Sequence, residues 1–129
     1  MGTEAIREGG CLCGGVTYRI TGDIRGVVNC FCGQCRKTSG HHVAAVRCRK
    51  DQFELIADDT LSWYRSSSTA RRGFCSRCGS SLFWEPFEGE TISVMAGTLE
   101  TPTGVRSILN IFVEDMSDYH DIPRLYPES

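Results

Sequence analysis

The side chains best equipped for chemistry are eight cysteines, seven of them spaced so that neighbouring sulfurs can turn onto one ion. Cys11 and Cys13 form a C-x-C pair within "GGCLCGG". Cys30, Cys32 and Cys35 form a C-x-C-x-x-C array within "VNCFCGQCRKTSG", followed at once by Arg36 and Lys37. Cys75 and Cys78 form a C-x-x-C knuckle within "GFCSRCGSS". The leading "MGTEAIREGG" has acidic residues and no apolar core of a secretory leader, so a cytoplasmic, reducing setting is expected. Disulfides are disfavoured there, and thiols this close together read as ligands for a thiophilic metal, zinc above all.

The spacing divides them into two constellations. Cys11, Cys13, Cys75 and Cys78 make a complete tetrahedral shell, which predicts a closed structural zinc joining the start of the chain to its middle. Cys30, Cys32 and Cys35 are one ligand short. Either Cys48 completes a second closed site, or the fourth position is open, as it is where zinc does chemistry. Cys48 stands alone in "VRCRK", at the end of an expected strand, and reads equally well as a small apolar core residue. Spacing alone leaves both arrangements standing.

These residues need a scaffold, and the sequence predicts a β-rich one. A chain of 129 residues is the size of one domain, with a core over about residues 9–113 and an acidic segment at 114–129. Val16, Tyr18 and Ile20 alternate with Thr17 and Arg19, the period-two pattern of a half-buried strand. "HVAAVRC" (42–48), "FELIA" (53–57), "LSWYR" (61–65), "SLFWE" (81–85), "TISVMA" (91–96) and "SILNIFV" (107–113) are similar: short, rich in β-branched or aromatic residues, and bounded by turn formers. No amphipathic helix longer than a turn or two is evident. "EDMSDYHDIPRL" has room for one helical turn that Pro123 would stop. The expectation is a mainly β fold of two small sheets, pinned by metal.

Charge narrows the function classes. The net charge is −2, but residues 36–77 carry nine basic and four acidic groups while residues 78–129 carry two basic and nine acidic. The positive middle lies beside the thiols, where an anionic ligand would be welcome. The acidic end weighs against a general nucleic-acid binder. No apolar run approaches the length that spans a bilayer, and no phosphate loop, nucleophile elbow or dinucleotide fingerprint occurs.

"GGCLCGGVTYRITG", "NCFCGQCRKTSG" and "RRGFCSRCGSSLFW", in that order, resemble the signature of the glutathione-dependent formaldehyde-activating enzyme family, which also includes the centromere protein V domain. The resemblance covers about residues 9–113. It implies a tent-like β fold with two zinc sites: a structural one at Cys11, Cys13, Cys75 and Cys78, and a catalytic one at Cys30, Cys32 and Cys35 with its fourth place open. Cys48 then becomes a packing residue. It implies a carbon–sulfur lyase that joins glutathione and formaldehyde reversibly. Family members often carry His inside the C-x-C where this chain has Phe31, a departure that bears on substrate preference.

The ligand set agrees with such a reaction. Three thiolates around Zn²⁺ leave the unit at −1, poor at making hydroxide but suited to an incoming thiol. Arg36, Lys37, Arg71 and Arg72 are candidates to offset that charge or to meet a substrate carboxylate, against the plainer reading as surface charge. His41 and His42 read as a proton shuttle or as turn residues, and Trp63 and Trp84 as core. The competing class is a non-catalytic zinc module that contacts protein or nucleic acid.

Overall fold

The structure, a computed structural model, describes residues 5–120. Ten strands are present: β1 (Ile6–Gly10), β2 (Val16–Thr21), β3 (Val27–Cys30), β4 (Val43–Arg49), β5 (Phe53–Asp58), β6 (Leu61–Arg65), β7 (Ala70–Cys75), β8 (Ser81–Pro86), β9 (Thr91–Met95) and β10 (Ser107–Ile111). One helix of two turns, α1, spans Gly33–Ser39, and short 3-10 turns cover Lys50–Gln52, Ala96–Thr98 and Val113–Asp115. Seven strands coincide with the alternating segments read from sequence. The 3-10 turn at Val113–Asp115 opens the segment expected to hold a helical turn, whereas Pro123 lies outside the described residues.

The fold is mainly β, in two sheets. One has three antiparallel strands in the order β1-β2-β5. The other has seven, in the order β10-β3-β4-β9-β8-β7-β6, and so is larger than the small sheet expected. Its outer pair, β10 on β3, is parallel, and its other neighbouring pairs are antiparallel. Val16, Tyr18 and Ile20 point from the small sheet into the core, each at most 1% exposed, and meet Val46, Phe83 and Val94 of the large one. Tyr18 lies edge-on to Phe83 at 5.6 Å, and its hydroxyl pairs with Thr98 Oγ1 at 2.6 Å, so the ring is buried without an orphaned polar atom.

Strand β4 assigns its side chains cleanly to two faces. Ala44, Val46 and Cys48 pack with the main core, whereas Val43, Ala45 and Arg47 line a cavity on the other face. Successive residues of a strand point to opposite sides. Cys48 is therefore a core side chain, 3% exposed, and burial pushes its thiol up to about 11, with Arg49 pulling the other way. Among the described residues no helix is long and apolar enough to cross a membrane.

Candidate metal centres and the cavity between them

Cys11 and Cys13 sit in the turn between β1 and β2, while Cys75 ends β7 and Cys78 follows it in the next turn. The four sulfurs converge to within 4.8 Å of one another. Cys11 Sγ lies 3.7 Å from Cys13 Sγ, which is 3.6 Å from Cys75 Sγ. Four sulfurs about 2.3 Å from a central zinc would stand about 3.8 Å apart, so the set fits that ion. The backbone is shaped for it. Gly14 (φ 84) and Gly79 (φ 80) take the left-handed turns that fold each knuckle, and both amides of Val16 and Cys78 donate to sulfur, at 3.3 Å, on Cys11 and Cys75. Arg77 Nε reaches Cys13 Sγ at 3.3 Å.

Two of these sulfurs are held toward the thiolate form. Cys78 is held down to about 5, first by its hydrogen bond with the Ser80 hydroxyl at 3.2 Å. Cys75 is held to about 7, chiefly by Thr60 Oγ1 at 3.1 Å. Cys11 is raised, first by burial. Because two ligands belong to the small sheet and two to the end of β7, an ion here would bind the sheets to each other.

The second group is built around α1. Cys30 ends β3, Cys32 caps the helix and accepts from the Cys35 amide at 3.4 Å, and Cys35 is buried in its first turn. The three sulfurs lie within 4.8 Å of one another, and among the described residues no fourth Cys, His, Asp or Glu joins them. Cys35 is lowered to about 6, first by a hydrogen bond from Cys30 and next among the lowering causes by Arg72. Cys30 is pushed up, first by that same hydrogen bond and then by burial.

The trio forms part of the wall of a cavity of about 490 Å³. Arg72, 8% exposed, enters it from β7 with Nη2 3.7 Å from Cys35 Sγ, and its guanidinium is steadied by Gln34 Oε1 at 3.0 and 3.2 Å. Two further arginines, Arg25 and Arg47, complete the basic lining. Among the described residues neither makes an ion pair. Desolvation and then the charge of Arg47 lower the Arg25 pKa, so the two guanidinium groups face one another's charge. Trp84, Met95 and Phe112 supply an apolar side.

Of the basic residues singled out from sequence, the cavity takes in Arg72 alone. Arg36 is exposed on α1 and lines neither this cavity nor the neighbouring cleft, which Lys37 lines with Tyr64. Arg71 is tied to Glu85 at 2.7 Å and stacks on Trp63 at 3.7 Å. Trp84, expected in the core, packs against the smaller cluster of Cys35, Val43 and Met95 and also lines the cavity, while Trp63 packs near Phe83. Arg25 and Arg47 went unread. Arg25 stands in no motif, but the alternation Val43, Ala45, Arg47 could have placed the second on the face opposite Cys48. His41, His42 and Phe31 line no part of the cavity.

The model of the family described as "Glutathione-dependent formaldehyde-activating enzyme" matches residues 6–115. A Halomonas elongata protein named "Putative glutathione-dependent formaldehyde-activating enzyme" is 31% identical over 105 residues, covering 74% of this chain and 67% of that one. A crystal structure of a Rhodobacter sphaeroides protein superposes with a TM-score of 0.60 at 23% identity, over 78% of this chain and 98% of its own, a likeness of fold.

Proposed function

The chain belongs to the glutathione-dependent formaldehyde-activating enzyme family, and from that premise we propose that it is a zinc-dependent carbon–sulfur lyase adding a glutathione-like thiol reversibly to a small aldehyde, formaldehyde first among them. The observation that carries this reading is the group of three cysteine sulfurs, without a fourth protein ligand among the described residues, in the wall of a cavity lined by three arginines. In the proposal Cys30, Cys32 and Cys35 hold the catalytic zinc, and Cys11, Cys13, Cys75 and Cys78 hold a structural one. Zinc bound by the three thiolates would offer its remaining position to the substrate sulfur and favour that sulfur's thiolate form.

The protein's own residues do the rest. Arg72 offsets the negative charge gathered at Cys35. Arg25 and Arg47, with no carboxylate partner among the described residues, receive the carboxylates of a glutathione-like anion by charge-assisted hydrogen bonds. Trp84, Met95 and Phe112 keep one side of the cavity apolar, which strengthens those contacts and leaves room for a small carbonyl compound. The thiolate sulfur attacks the carbonyl carbon and a C–S bond forms. The π pair moves to oxygen, and a proton from water completes the hydroxymethyl thioether; reversal returns thiol and aldehyde. Arg36, Lys37 and Arg71, outside the cavity, take no part in this scheme.

Because thiol and formaldehyde combine spontaneously, the test is acceleration of exchange at equilibrium. Magnetisation transfer between carbon-labelled formaldehyde hydrate and its glutathione adduct should speed up in proportion to added protein. It should return to the spontaneous rate for Cys35→Ser. No acceleration by fully zinc-loaded protein would reject the lyase.

A further inference from the structure

A third group of metal-ligating side chains stands outside both cysteine clusters. His41 and His42 precede β4, and His120 lies 78 residues further on from His42, yet ligand nitrogens of all three fall within 4.8 Å of one another. The ring centroids of His41 lie 4.5 Å from His42 and 4.6 Å from His120, with 6.0 Å between the other two. We propose that His41, His42 and His120 form a third metal site, taking a borderline divalent cation such as zinc or cobalt through three imidazole nitrogens.

Two observations point to a ligand rather than to stacking alone. First, Nδ1 of His42 and Nδ1 of His120 are both buried and, among the described residues, have no hydrogen-bond partner. A buried polar atom left unpaired is destabilising, so two at one place call for something to satisfy them. A neutral imidazole keeps one lone pair, and in the tautomer with its proton on Nε2 each of these two nitrogens offers that pair to a cation. Second, the rings are oriented from behind. Phe31, 2% exposed, packs against His42 at 4.7 Å and edge-on against His120 at 5.1 Å. Tyr119 Oη pairs with His41 Nδ1 at 3.0 Å, leaving His41 Nε2 as its ligand atom. Such partners fix ring orientation and tautomer in metal sites.

The ligand set defines the ion. Three neutral nitrogens suit zinc, cobalt, nickel or copper, whereas calcium and magnesium want oxygen. Without thiolate charge the site binds more weakly than either cysteine centre. It also gives Phe31 a role. The residue between two ligands of the trithiolate group is the platform of the histidine group, so an ion there would fasten the Tyr119–His120 segment beside the C-x-C turn. The site depends on neither the lyase reading nor the identity of its substrate.

The test uses untagged protein whose cysteine centres have been loaded with zinc and cleared of excess metal. Cobalt(II) is then titrated in without free thiols. The expected result is one further equivalent of cobalt with ligand-field bands and no sulfur-to-cobalt charge transfer. His41→Ala, His42→Ala and His120→Ala should each lose that equivalent while retaining zinc at the cysteine centres, which shows that they fold. No extra cobalt taken up, uptake with sulfur charge transfer only, or uptake undiminished in the three variants would each overturn the proposal.

Discussion

Replacing Arg72 with alanine should loosen the metal at Cys30, Cys32 and Cys35 and leave the other cysteine centre as it is. Arg72 is 8% exposed, and its guanidinium sits 3.7 Å from Cys35 Sγ and is braced by two hydrogen bonds to Gln34 Oε1. A hydrogen bond to a charged group contributes about 1.5–3 kcal/mol, and the long N···S separation argues for the lower half of that range. At about 1.4 kcal/mol per tenfold, the loss corresponds to roughly 10–40-fold in zinc affinity, within the span typical of residues that support metal ligands. The sign with pH follows from Cys35. Its thiol is held down to about 6, first by Cys30 and then by Arg72, so removing the arginine raises it and protons compete better. The pH at which this zinc is half released should therefore move upward. A chromogenic zinc chelator, titrated against wild type, Arg72→Ala and Arg71→Ala, resolves the two centres. Arg71, engaged with Glu85 and Trp63, serves as the control. Unchanged affinity in folded Arg72→Ala, or an equal loss in Arg71→Ala, would refute the reasoning.

Three further outcomes are expected. Cys75→Ser or Cys78→Ser should unfold the domain, because a tetrathiolate zinc supplies about 10–16 kcal/mol against a stability of about 5–15, whereas Cys35→Ser should release one zinc and keep most of the fold; identical thermal melts for all three would contradict this. Cys48→Ser should keep both zincs at a cost of about 1–3 kcal/mol for an unpaired hydroxyl, checked by elemental analysis and denaturant unfolding. The buried Cys48 thiol also contributes an alkaline limb: its folded value of about 11 lies above the ordinary 9.0, so stability is full below pH 9 and falls by ~3 kcal/mol as pH rises to 11, a limb that Cys48→Ala should lack. Arg25→Ala with Arg47→Ala should weaken glutathione binding and flatten its salt dependence without changing zinc content, as calorimetry at two ionic strengths would show.

Much of this was written locally. The knuckles announced seven metal-ligating candidates, because ligands two or three apart must be close however the chain folds. Strands such as Leu61–Arg65 were legible because each alternates and ends at a turn former. The strands that went unread include two that carry the chemistry. Val27–Cys30 has only four residues, too few to show a period, and Ala70–Cys75 is interrupted by Gly73 and two arginines. Those arginines are tolerated because Arg72 turns to the cysteines and Arg71 to Glu85, pairings made only by the folded sheet. Non-local encounters set the remaining limit. Arg25 reaches Arg47 only when the segment before β3 lies beside β4, and His120 meets His41 and His42 across most of the chain. Cys48 shows the intermediate case: its isolation was visible, but the strand's alternation decided its face.

The central claim is that the cysteine trio presents an open metal position to a thiol. With cobalt in place of zinc at Cys30, Cys32 and Cys35, sulfur-to-cobalt charge transfer reports each thiolate bound, and a histidine-held cobalt adds nothing to that band. Adding glutathione should intensify and shift the band by one further sulfur, whereas its serine-for-cysteine analogue should leave it unchanged, since a neutral hydroxyl competes poorly at a metal already carrying three thiolates. A shift with another small thiol but none with glutathione would keep the open position and change the substrate. A band indifferent to every thiol, or one already showing four sulfurs, would contradict the account and favour a closed zinc module that binds a macromolecular partner.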